Sequence, residues 1–124
     1  MSAYATASRA YAESSVLSAP PEKLVVMLYD GLGRFLARAA AAIRAGDPGA
    51  AGEPLGRAKA ILDELLTTLD HEAGPIAGEL ESIYLFCERA LVEAQLERDA
   101  DKVDRVAKLL AELRDSWAAI AGAP

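Results

Sequence analysis

The sequence predicts an all-α protein: an antiparallel up-down-up-down four-helix bundle over residues 21–121, preceded by an N-terminal tail over residues 1–20. Three observations carry that expectation. Ala, Leu, Glu and Arg dominate the composition, and all four are strong helix formers. Four segments of similar length repeat apolar residues at helical spacing. The breaks between them are short and rich in Gly, Pro and Asp, and short links place successive helices antiparallel. No strand alternation or glycine fingerprint interrupts this pattern, and the segments are too dissimilar for a repeat array.

The tail is small and polar, with Tyr4, Tyr11, Val16 and Leu17 as its sizeable apolar groups, and it reads as a candidate lid. Pro20-Pro21 ends it. Pro21 suits a first helical position, where its missing N–H is not needed, and Glu22 complements the helix dipole. The first helix is predicted over 21–44. Leu24, Leu28, Gly31, Phe35 and Ala39 form its stripe, widened by Val25, Leu32, Leu36 and Ile43. Asp30, Arg34 and Arg38 form a charged ladder on another face.

Residues 45–49, AGDPG, turn the chain. Gly52, Pro54 and Gly56 weaken the second helix, so it is expected to be firm from about Pro54. Leu55, Ala58, Leu62, Leu65 and Leu69 then keep the rhythm, flanked by Ile61 and Leu66. After the break at 70–75 the third helix is predicted over 76–98. Ile76, Leu80, Ile83, Cys87, Ala90 and Ala94 form its buried stripe, with Tyr84 and Leu91 alongside. Asp99 is a candidate N-cap for the fourth helix, whose stripe is Val103, Val106, Leu110, Leu113, Trp117 and Ile120.

The chain has 124 residues, a net charge of -6 and a pI near 4.8. That size supports one domain, and the acidic balance opposes binding to nucleic acid or anionic lipid. Residues 1–15 lack the basic start and apolar core of a secretory signal, and no apolar run approaches the roughly 20 residues of a membrane span. With Cys87 as the only cysteine, a reducing cytosol is expected.

No catalytic chemistry is expected. His71 lies between Asp70 and Glu72 in a turn, where no ligands converge, and Cys87 sits on a core stripe. Bundle di-metal centres need Glu-x-x-His pairs, and there are none, so no metal or cofactor is called for. Glu79, Glu81, Glu88, Glu93 and Glu97 read as solvated, with Arg89 and Glu93 spaced to pair. Lys102, Arg105 and Lys108, interleaved with acids, read as an ordinary solvent face.

One stretch exceeds what a bundle needs. In PPEKLVVMLYDGLGRFL, residues 24–29 are six consecutive apolar or aromatic positions. With Leu24, Leu28, Leu32 and Phe35 facing the core, Val26 falls opposite, and Met27 and Tyr29 flank. The outer face of a bundle helix is expected to be wet, so these three side chains require another cover. Patterning leaves two covers open: the tail residues Tyr4, Tyr11, Val16 and Leu17, or a partner chain.

The same residues resemble the FliS family of flagellar secretion chaperones. The resemblance rests on Ser18-Ala19-Pro20-Pro21-Glu22-Lys23-Leu24, Met27-Leu28-Tyr29-Asp30-Gly31 and Arg34-Phe35-Leu36. It continues through Gly46-Asp47, Leu69-Asp70, Ile83-Tyr84, Leu91, Ala94, Asp99, Leu110, Leu113-Arg114 and Trp117. The resemblance implies a four-helix bundle in the bacterial cytosol that binds the disordered C-terminal segment of flagellin. It also implies that binding prevents premature polymerisation and aids delivery to a component of the flagellar type III export gate.

The partner-binding residues it implies are Tyr11, Val16 and Leu17 in the tail and Leu24, Met27, Tyr29 and Asp30 in the first helix, to which the patterning adds Val26. Tyr84 and Leu91 are candidates for a second groove. Val26, Met27 and Tyr29 are expected to face the partner, whereas Leu24, Leu28 and Phe35 serve mainly the core. The sequence departs from the family pattern at Pro20, which removes an N-cap side chain, at Gln95, and at Gly52, Pro54 and Gly56. The alternative reading is a structural or regulatory bundle that self-associates through the same patch.

Overall fold

The structure, a computed structural model, describes residues 21–122. Four helices follow one another: α1 Pro21–Arg44, α2 Gly52–Thr67, α3 Ile76–Glu97 and α4 Ala100–Ala121. Short 3-10 turns, Pro48–Ala51 and His71–Ala73, lie in the first two connections, and no strand occurs among the described residues. The protein is an all-α four-helix bundle.

Local chemistry sets the boundaries. Asp47 accepts a hydrogen bond from the Ala50 N–H and starts the first turn. α2 begins at Gly52, two residues before the expected firm start. Pro54 is the third residue of that helix, where the N–H has no intrahelical partner to lose. At the α3–α4 corner Arg98 adopts a left-handed conformation (φ 55°), and the Asp99 carboxylate accepts from the Lys102 N–H at 3.0 Å.

The core is centred on Leu32, Leu36, Leu62, Leu65, Tyr84, Cys87 and Val103, all essentially fully buried. α1 has α2 on one side and α4 on the other, and α3 closes the square by packing on α2 and α4. Ion pairs record the antiparallel register of α1 and α4. Arg44 contacts Asp101 at 2.7 Å and Asp104 at 2.6 Å, while Arg114 meets Asp30 at 2.9 Å toward the other end. Arg38 links α1 to Glu53 of α2 at 3.0 Å.

This arrangement corrects the facing of α1. The residues turned most directly to the core are Tyr29, Leu32, Leu36 and Ala39, with Val25 and Ile43 packed against the cluster. That line lies about 80° round the helix from Leu24, Leu28 and Phe35 at roughly 100° per residue. Leu24, Leu28 and Phe35 are half-buried on the flank that carries Gly31, and Leu28 and Phe35 pack against the cluster as Val25 does. A Cβ on Gly31 would sit 3.4 Å from Ile61 of α2, so this flank faces α2.

Val26 is on the opposite flank and is 4% exposed, although it stands outside the central cluster. Carried four residues beyond the Asp30–Arg114 pair, the α1–α4 register puts Val26 level with Ala118, also buried. The expectation that Tyr29 points outward is therefore overturned, and Val26 is covered although it lies off the core cluster. Of the three surplus residues only Met27, 43% exposed, faces solvent.

Candidate partner-docking surface

α3 also contains a run of consecutive apolar residues, IYLF at 83–86, followed by Val92 and Leu96. Its inner line is Tyr84, Cys87, Leu91 and Ala94. A second line, Leu85, Val92 and Leu96, is offset from the first by roughly 140° at about 100° per residue, on the outer face toward α2. α2 does not cover it: Val92 is 52% and Leu96 79% exposed. Phe86, 53% exposed, lies on the α4 side, and Ile76 is exposed at the start of the helix. Apolar side chains gathered on one helix of a folded domain make a candidate docking surface.

An apolar cleft of about 560 Å³ lies at one end of the bundle, where α1 and α3 begin and α2 and α4 finish. Val25, Leu65, Leu80, Tyr84 and Trp117 form its walls, Ile76 stands at its edge, and Glu22 and Asp70 supply polar groups. Beneath it the Tyr29 and Tyr84 hydroxyls meet at 2.5 Å and tie α1 to α3 across the core. Burial pushes both phenols above the ordinary tyrosine range; for Tyr29 the neighbouring Tyr84 pushes further in the same direction. The pair is a structural link, with both hydroxyls engaged.

Charges border this surface. Between α2 and α3, burial and then the neighbouring Asp63 push Glu88 up to about 7. The neighbouring Glu88 carboxyl and then Lys59, at 2.9 Å, hold the Asp63 carboxyl below its ordinary value. Burial pushes the Cys87 thiol up to about 11, which suits a core residue and not a nucleophile. Among the described residues no three His, Cys, Asp or Glu side chains gather as a metal site.

The residues expected to bind a partner do not form one surface. Tyr11, Val16 and Leu17 lie outside the described residues. Val26, Tyr29, Tyr84 and Leu91 are buried, Leu24 is half-buried, and Asp30 is engaged by Arg114. Asp30 and Arg114 border a shallow α1–α4 groove floored by Gly33, Ala37, Ala107 and Ala111. Ile76 and Ile120, assigned to core stripes, are exposed because both stand at the same end of the bundle, where the packing stops. Helical patterning did not single out the outer residues of α3, although the run at 83–86 is the same kind of signal as the run at 24–29.

Fold and surface together define a class: a helical bundle that offers apolar clefts and a helix face to another polypeptide. The model of the family described as flagellar protein FliS matches residues 3–124, and the chain belongs to that family. It is 39% identical to a flagellar secretion chaperone FliS of Salmonella typhimurium over 107 residues, covering 85% of this chain and 79% of the relative. The chaperones of the same name from Campylobacter jejuni and Bacillus subtilis are 36% and 32% identical, each over 87% of this chain and over 85% and 80% of their own lengths.

Proposed function

We propose that this chain is a flagellar export chaperone that binds the disordered C-terminal segment of flagellin in the bacterial cytosol and delivers it to the export gate. Its family supports the export-chaperone role and a non-enzymatic one. The observation that carries the finer reading is the apolar surface left open on α3: Leu85, Val92 and Leu96 on one flank, Phe86 on the other and Ile76 at the end cleft. A compact ligand cannot reach all three places. An extended segment with short helical pieces can wrap around α3 and place side chains at each.

The energetics suit such a client. A segment that folds on binding buries roughly 1,000–3,000 Å² and gives back about 2–5 kcal/mol to ordering. While bound, its apolar residues are withheld from assembly with other flagellin copies. Release needs no nucleotide, because handover at the gate replaces one set of contacts by another. No helix among the described residues is long and apolar enough to cross a membrane, so the surface on α3 is not part of a spanning helix.

Calorimetry with the C-terminal segment of flagellin from the same organism tests the proposal. Binding is expected at or below tens of micromolar, roughly -6 kcal/mol or better, with a negative heat-capacity change from apolar burial. No heat and no complex at that concentration would remove flagellin as the client.

A further inference from the structure

The ion pairs between α3 and α4 leave two cations of the cleft between these helices unmatched. Arg89 and Glu93 are four residues apart on one helix, and pairing between them is the sequence expectation. Instead Glu93 reaches across to Lys102 of α4 at 3.2 Å, and Lys102 also takes Glu97 at 3.0 Å. Arg89 on α3 and Arg105 on α4 have no ion-pair partner among the described residues. Both line a cleft of about 540 Å³ between the two helices, in which the Glu93 carboxylate is already matched by Lys102. Buried Ala90 and Val106 also line it, and the half-exposed Phe86 ring forms a further part of its wall.

Apolar lining, an open aromatic ring and two unmatched guanidinium groups thus share one cleft, on a chain whose net charge is -6. The rest of that surface disfavours an acidic ligand; this cleft is a local reversal. Its chemical complement is an apolar side chain beside a carboxylate. The apolar group fits against Phe86 and Val106, and a guanidinium receives the carboxylate in a forked pair of hydrogen bonds. Resting on the chaperone reading, we propose that the α3–α4 cleft is where this protein reads charge in its client. It binds a short stretch of the flagellin C-terminal segment that carries an acidic residue next to an apolar one. Exposed charge pairs of this kind set orientation, specificity and association rate more than total affinity, and salt weakens them.

The test is calorimetry of the full chain with the flagellin C-terminal segment and with a copy in which Asp and Glu are changed to Asn and Gln. The double variant Arg89→Glu, Arg105→Glu should bind the natural segment about tenfold or more weakly, with helicity and denaturation midpoint kept. The variant and the wild type should differ little on the neutralised segment. Arg89→Gln, Arg105→Gln should bind with reduced salt dependence. Equal binding of the natural segment by variant and wild type would overturn the assignment, as would an equal loss on both segments. So would a wild-type dimer that the reversal converts to a monomer without changing segment binding, which would give the cleft to a second copy. If the wild type binds neither segment, the chaperone reading falls and the cleft assignment falls with it.

Discussion

α1 and α3 each carry a run of consecutive apolar residues, 24–29 in one and 83–86 in the other. In α1 nearly all of that run is covered, and Met27 alone is left well exposed. In α3 the run leaves Leu85 and Phe86 open, with Val92 and Leu96 extending the exposed surface. The difference lies in the neighbours. α1 packs far more extensively against α4 and α2 than α3 packs against either of its neighbours, and a flank residue such as Val26 is covered. α3 has no comparable packing along its outer flanks. A run of apolar residues therefore says that a helix is apolar all round; how extensively its neighbours pack on it decides whether the surplus is buried.

The largest expected effect breaks this comparison most sharply. Val26→Asp would place a carboxylate at a buried position and should cost several kcal/mol, about 3 or more, or prevent folding. Val92→Asp should change stability by no more than about 0.5 kcal/mol. Urea denaturation of the two variants checks both, and similar midpoints would erase the distinction between the helices. Next in size, Tyr29→Phe leaves the buried Tyr84 hydroxyl without its partner and should cost about 1–3 kcal/mol, measured the same way.

A smaller effect depends on pH. Folded Glu88 keeps its proton up to about 7, where an ordinary glutamate loses it near 4.5. Across that window the folded state holds the extra proton, so this contribution is full below about 4.5 and is lost as pH rises through 7. Asp63 acts in the opposite sense: its lowered value stabilises above its ordinary range, and that contribution is lost only as pH falls further. Glu88→Gln keeps a donor for Asp63 without the titration. The variant should be more stable than wild type at pH 8 and should show a flatter stability profile between pH 5 and 8. Denaturation midpoints across that range read the result. The smallest effect is Asp30→Asn, which weakens a partly exposed pair with Arg114 and should cost no more than about 1 kcal/mol in the same assay.

Much of the fold is legible in the amino-acid sequence. The Pro21 start of α1, the Asp99 cap of α4 and the four apolar stripes are local properties, set by spacing and by the chemistry of helix ends. The docking surface is less legible because it depends on phase. Helical spacing shows which residues share a face, but a helix with six consecutive apolar positions offers several faces that look equally suited to the core. Gly31 against Ile61 and the Tyr29–Tyr84 hydroxyl pair resolve that phase, and both join distant parts of the chain. Tyr84 and Leu91 share α3 with the open surface, yet they form its inner line, beneath the residues a partner can reach.

The central claim is that α3 receives the client while α1 holds the bundle together. Methyl-labelled NMR of the full chain, titrated with the flagellin C-terminal segment, tests it most directly. The largest shifts are expected at Leu85, Val92 and Leu96, with Leu32 and Leu36 of α1 nearly unmoved. Large shifts on α1 around Met27, with the outer methyls of α3 unchanged, would contradict it.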